Sequence, residues 1–259
     1  MIAAAVGMIA VMVGAWVVVR ATGNGGWIDA FWSFGIGALG VAFALAPIEA
    51  APVTTVRQII VAILVGVWGL RLGLYLASRV IRSSEDARYA GLREAWGTKF
   101  APKLFAFAMI QALAAILLML AVRLAARNPA PGFRILDAVG ALILVTAILG
   151  EGIADRQLAR FKRDPVNRDK VCDIGLWSWS RHPNYFFEWL GWCAYVFFAI
   201  DPGGDPSGWL AILGPAFMYL LLRYVSGVPP LERHMVQSRG DAYRDYQSRT
   251  SAFFPIPPR

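Results

Sequence analysis

Seven hydrophobic runs punctuate the chain, at about 2–19, 28–48, 58–78, 104–122, 135–154, 183–200 and 207–222, with polar stretches between them. A helix needs ~20 apolar residues to cross a bilayer, or ~17 at the short end, so each run predicts a crossing helix. The last run has only sixteen residues and reaches across if flanking side chains snorkel. The pattern therefore predicts an all-α integral membrane protein. It has one membrane domain over 1–259, a bundle of seven transmembrane helices, and cytoplasmic loops that close a pocket at one end. The first run lacks a cationic start and a small-residue cleavage site ahead of Arg20, so a retained helix is expected there.

Composition agrees with this. Hydrophobic residues make up 58% of the chain and charged ones 16%, against ~25% charged in soluble domains. Of the 25 Lys and Arg, six lie in 79–103, seven in 156–181 and six in 223–259. Placing the N-terminus outside puts all of these on the cytoplasmic side, as the positive-inside rule expects, and the C-terminus with them. The 201–208 loop, with two Asp and no cation, then lies outside; Arg123, Arg127 and Arg134 in the 123–134 loop run against the trend. The expected location is a bacterial inner (plasma) membrane. The net charge of +8 belongs to these basic loops, so membrane lipid and a lipophilic small molecule from the bilayer are the expected partners, not nucleic acid. The chain is read as a monomer. Two cysteines, Cys172 and Cys193, make no disulfide framework, and with two histidines and no HExxH a metal centre is not expected.

With that threading, Asp29, Arg71, Gln111, Glu151, Glu188 and Arg223 fall at the inner level of six different spans. Snorkelling accounts for any one of them; six at one level favour a common cavity open to the cytoplasm. Trp68, Arg71, Tyr75, Arg79 and Arg82 follow helical steps along one face, and so do Arg181, Asn184, Tyr185 and Glu188. Pro183 fits a first helical turn, with Ser180 as the cap before it. Glu151 and Asp155 are again one turn apart.

Arg160, Lys162, Arg163, Arg168 and Lys170 follow Asp155 within fifteen residues, and Arg79, Arg82 and Arg88 come from the preceding inner loop. A pyrophosphate with a ribose phosphate would satisfy such a cluster through charge-assisted bonds, and NADPH carries both. Anionic lipid headgroups draw the same cations. Asp155, Asn184 and Glu188 suit an amide, a ribose or an adenine edge better than a headgroup. No GxGxxG is present, and Gly23-Asn24-Gly25-Gly26 opens no strand–helix unit, so the pattern excludes a Rossmann fold.

From about residue 64 onward the chain resembles the steroid 5-alpha reductase family, in particular its bacterial branch. The resemblance rests on Trp68-Gly-Leu-Arg71-Leu, Glu85-Asp86-x-Arg88-Tyr89, Glu151-x-x-x-Asp155-x-Gln157 and Gly175-Leu176-Trp177. It continues in Ser180-Arg-His-Pro-Asn184-Tyr185 with Glu188, and in Tyr243-x-x-Tyr246 leading to Phe253-Phe254-Pro255. It implies a seven-helix bundle that buries NADPH under cytoplasmic loops and the last helices. Asp155, Asn184 and Glu188 match cofactor contacts of that family, Arg82 and Lys170 fall at arginine positions, and Lys162 lies near a third. Arg79, Arg163, Arg181, His182, Tyr185 and Tyr246 complete the expected cofactor site; the tail with Tyr243, Tyr246 and Arg249 either folds back over the cofactor as a lid or lies along the membrane surface.

The implied reaction is NADPH-dependent reduction of the carbon–carbon double bond of a lipophilic enone, such as a 3-oxo-4-ene steroid, with hydride to the β carbon. Asp29, as a protonated acid, and Tyr75 are the expected catalytic groups at the ketone. Trp32, Trp68 and Tyr219 are expected substrate contacts. Membrane methyltransferases of the isoprenylcysteine type share the Arg-His-Pro segment, so an S-adenosylmethionine-dependent methyltransferase is the alternative. Its cofactor has no phosphate and gives no reason for the basic loops.

Overall fold

The computed structural model describes residues 2–48, 54–82 and 85–258, with only the backbone of Ala87. Helices dominate, and no sheet occurs among the described residues. They are α1 (Ile2–Thr22), α2 (Trp27–Leu45), α3 (Val56–Arg82), α4 (Ala87–Trp96), α5 (Phe100–Arg127), α6 (Ile135–Arg163), α7 (Pro183–Ala199), α8 (Leu213–Leu220), α9 (Val228–Arg239) and α10 (Asp241–Arg249). Six stretches are long and apolar enough to cross a membrane: Ile2–Thr22, Trp27–Leu45, Val56–Arg82, Arg88–Arg127, Ile135–Arg163 and Pro206–Arg239. The protein is thus a multi-pass membrane protein. The 17-residue α7 falls just short of that group.

The helix ends differ from the hydrophobic runs for local reasons. α2 stops at Leu45 because Ala46, ahead of Pro47, takes an extended geometry (φ −59, ψ 140), as steric clash with a following proline ring demands. α6 continues past the expected end at 154 and stops at Arg163, where Asp164 is extended ahead of Pro165. The seventh run is not one regular helix. A 3₁₀ stretch (Pro206–Ile212) leads into α8, and a π turn (Leu221–Val225) follows it.

Two compact units make up the chain: Met1–Ala141 with Tyr195–Gly214, and Leu142–Ala194 with Pro215–Arg259. In the first, α2 packs on α1, α3 and α5. α2 and α3 meet backbone to backbone, since a Cβ on Gly69 would lie 2.5 Å from the Gly37 Cα. Small residues allow this approach where lipid supplies no hydrophobic drive between helices.

A buried ionic clasp closes one end of this unit. Arg57 at the start of α3 pairs with Asp137 in the first turn of α6 at 2.9 Å, and their side chains are 3% and 0% exposed. The Arg57 guanidinium also donates to the carbonyls of Asn128, Ala130 and Gly132. Arg134 donates to Asp137 and to the carbonyls of Phe198 and Ile200, and the Asn128 amide donates to Phe198, Ala199 and Ile200.

In the second unit the C-terminal tail folds back along residues 177–181. The Arg181 amide donates to the Ser251 carbonyl at 2.8 Å, and the Ile256 amide to that of Trp179 at 3.1 Å. Phe186, Trp189, Tyr219, Phe253 and Phe254 form one aromatic cluster with ring centroids 5.2–6.3 Å apart.

Candidate functional site

Two polar constellations collect the expected site residues, one in each unit. In the first unit, Asp29 sits in the first turn of α2. The helix dipole favours an anion there. The Arg88 guanidinium donates to Asp29 at 2.8 Å and the Tyr89 hydroxyl donates to its other oxygen at 2.8 Å. Gln111 is within hydrogen-bonding reach of Tyr89. The turn that carries these groups is tightly built. Asp86 caps α4 through the Arg88 amide and also binds the side chains of Arg88 and Arg79. Burial raises the Asp86 carboxyl pKa, but Arg88 and Arg79 outweigh it and hold the group at about 2. Glu85 accepts from the Gly25 amide at 2.8 Å and from Arg93. A Cβ on Gly25 would lie 2.6 Å from the Tyr89 ring, so the Gly23–Gly26 turn is glycine-rich to let Tyr89 close on it.

Asp29 thus accepts from both a guanidinium and a phenol and holds Arg88 and Tyr89 in place. The other expected residues of this unit take the following places. The tyrosine that meets Asp29 is Tyr89 rather than Tyr75, which lies half-buried on α3 with its carbonyl accepting from Ser78. Arg79 pairs with Asp86 at 2.7 Å, and Arg82 is exposed at the end of α3. Trp32 donates its indole N–H to the Gln111 carbonyl at 3.1 Å, and Trp68 is buried.

In the second unit, Asp155 and Glu151 are buried on α6, and Glu188 is buried on α7. The Asn184 amide donates to Asp155 at 3.3 Å, and the Trp192 indole to Glu188 at 2.9 Å. Because α6 stays helical to Arg163, the cations after Asp155 divide by face. At 100° per residue, Lys162 falls on the side of Glu151 and Asp155, and Arg160 on the opposite side. Lys162, Arg163 and Lys170 are exposed.

Three expected cofactor ligands here have partners within the fold. Arg181 donates to Glu232 at 2.7 Å and to the carbonyls of Gln247 and Thr250. His182 also meets Glu232, at 3.2 Å, and stacks on Tyr185. Burial lowers the His182 pKa, against the pull of Glu232. The Tyr246 hydroxyl donates to the Trp177 and Ser180 carbonyls, so the tail does fold back, with this tyrosine buried beneath it. Tyr219 belongs to the aromatic cluster.

Glu232 and the role of Tyr89 were not foreseen. Tyr89 belongs to the Glu85-Asp86-x-Arg88-Tyr89 motif, whereas nothing near Glu232 in sequence marks it as the partner of Arg181.

Comparison with known proteins places these residues in a family. No solved structure matches the chain. An uncharacterized protein of Schizosaccharomyces pombe, C594.04c, is 31% identical over 99 residues, which cover 37% of this chain and 27% of that protein. The match thus spans about a quarter of that relative's length. The model of the family described as "Protein of unknown function (DUF1295)" matches residues 15–250, a stretch that holds both polar constellations, and the chain belongs to that family.

Proposed function

We propose that this protein is an NADPH-dependent membrane reductase acting on the carbon–carbon double bond of a lipophilic enone, of the type exemplified by a 3-oxo-4-ene steroid. The observation that carries the reading is the pair of buried Asp155 with half-buried Asn184, with Glu188 one turn beyond Asn184 and Lys162 on the same face of α6 as Asp155. Buried carboxylates and an amide next to an exposed lysine are an acceptor, donor and cation set that matches an amide-bearing, phosphate-bearing ligand. The DUF1295 family is related to the steroid 5-alpha reductase-like membrane proteins, which supports the same chemistry. In this reading α7 and the Pro206–Val225 stretch both cross, giving seven spans. The basic helix ends and the C-terminus then face the cytoplasm of a bacterial inner membrane.

The cofactor supplies hydride. Asp155, Asn184, Glu188 and Lys162 hold and orient it, with Lys170 and Arg163 adding charge at the loop. In the first unit, Asp29 accepts from the Tyr89 hydroxyl and fixes Arg88, whose positive charge is of the kind that polarises an enone ketone and makes its β carbon electrophilic. The substrate enters from the bilayer.

Thermal stability in detergent, measured with NADPH, NADH and S-adenosylmethionine, tests the reading. A ligand at a hundredfold its Kd adds ~2.7 kcal/mol, and NADPH alone is expected to do so. Asn184→Ala is expected to weaken that binding roughly tenfold, the value of one hydrogen bond to a charged group. Stabilisation by S-adenosylmethionine alone would overturn the reductase reading in favour of a methyltransferase.

Asp29→Asn is a separate test. Loss of the group that fixes a polarising cation costs on the order of 10²–10³ in turnover, and NADPH stabilisation is expected to be unchanged. Full turnover in Asp29→Asn would leave Asp29 as a structural anchor.

A further inference from the structure

The face of α6 opposite Glu151 and Asp155 lines a groove of about 670 Å³ in the second unit, a volume typical of small-molecule sites. Its walls are Leu149, Gly150, Ile153 and Gln157 from α6, Phe187 from α7 and Trp179 from the segment before it. Leu149 is 60% exposed and Ile153 46%, so on a membrane-crossing helix the groove opens toward lipid. Its depth is built in. A Cβ on Gly150 would lie 2.4 Å from the Phe187 ring, and Gly175 turns at φ +56 beneath the Gln157 amide, which accepts from the Leu176 N–H.

The α6 face that lines the groove continues to charge. Leu149, Ile153, Gln157 and Arg160 follow 4-4-3 steps, so Arg160 stands one turn beyond the apolar channel, with Arg156 at its flank. Both arginines are exposed and have no ion-pair partner among the described residues. An apolar channel that ends in exposed cations at a helix end matches a two-part ligand, a hydrocarbon chain with an anionic head at the interface.

We infer that this groove binds an anionic phospholipid, its acyl chain lying along Leu149, Ile153 and Phe187 and the net negative charge of its head group, uncompensated by a choline, facing Arg160 and Arg156. The assignment does not depend on the reductase reading. It uses the α6 cation that faces away from Asp155, and so divides a basic cluster that the sequence presents as one. The bound lipid would fix the end of α6 and the Gly175–Ser178 turn, on which the tail is laid down.

Trp179, 48% exposed in the groove wall, provides the readout. The protein in nanodiscs of phosphatidylcholine is titrated with brominated phosphatidylglycerol or with brominated phosphatidylcholine, and the tryptophan quenching that disappears in Trp179→Phe is taken as the groove signal. A preference of about fivefold to thirtyfold for the glycerol lipid is expected, the ratio that the attraction of one to two basic residues to an anionic head group supplies. Arg156→Gln/Arg160→Gln should abolish that preference while leaving quenching by the choline lipid unchanged, which shows the variant is folded. Equal quenching by the two lipids in the unaltered protein would reduce the groove to ordinary lipid contact and overturn the proposal. So would displacement of both lipids by a steroid enone, which would make the groove a substrate site.

Discussion

Asp137→Asn is expected to destabilise the protein by about 3–5 kcal/mol, the usual cost of stranding one partner of a buried ion pair. Arg57 has five N–H donors, and all five are used: two on Asp137 and three on the carbonyls of Asn128, Ala130 and Gly132. Removing the Asp137 charge leaves a guanidinium 3% exposed with no counter-ion except through carbonyl dipoles. It also releases Arg134, which binds the same carboxylate at 2.9 Å. At ~2–4 °C per kcal/mol for a chain of this size, the apparent Tm in detergent should fall by about 10 °C. Arg57→Lys should lose nearly as much, because an ammonium has three donors where this site requires five. The double variant Arg57→Met/Asp137→Leu should recover part of the loss, since it leaves no buried charge. A change of under 1 kcal/mol in Asp137→Asn would mean that the loop carbonyls alone hold the arginine.

The helices were legible in the sequence because hydrophobic length predicts crossing helices directly. The limits of that signal are equally physical. Hydropathy falls after residue 154, but Asp155–Arg163 is rich in good helix formers such as Gln157, Leu158, Ala159 and Lys162. The helix therefore outlasts its apolar stretch, and a presumed basic loop becomes two faces of α6. The α2–α3 contact was readable too: Ser33 and Gly37, and Gly69 and Gly73, have the four-residue spacing of small residues at a helix interface. The partners of charged groups were not readable. Asp29 and Tyr89 are 60 residues apart and Arg181 and Glu232 51 apart, and nothing local selects one acid among the several in the chain as the partner of Arg181. Helical periodicity points to Tyr75, a neighbour on one helix, and is blind to a turn such as that of Tyr89 that folds onto another.

Glu232→Gln is the second large effect, and it reaches further along the chain. The carboxylate receives Arg181 at 2.7 Å, His182 at 3.2 Å and the Gln247 amide at 2.9 Å, so one side chain joins the start of α7, α9 and α10. The Arg181 side chain is 10% exposed; without its counter-ion about 3–5 kcal/mol is expected to be lost. The loss should appear first in the tail, because Arg181 also carries the Gln247 and Thr250 carbonyls. Trypsin should then cut at Arg249 in Glu232→Gln well before it cuts the unaltered protein, read by mass spectrometry. The pH response has a definite sign. The folded His182 pKa lies below its ordinary 6.5 because burial disfavours the imidazolium, with Arg181 and Arg223 adding to that and Glu232 opposing it. As pH falls below 6.5 the unfolded chain therefore takes up this proton first, and the stability present above 6.5 drains away. Removing Glu232 removes the group that favours the imidazolium, so the Tm difference between pH 7.5 and pH 5.5 should widen in Glu232→Gln. A tail that stays protected, with an unchanged Tm difference, would show that Tyr246 and the aromatic cluster anchor it without the acid.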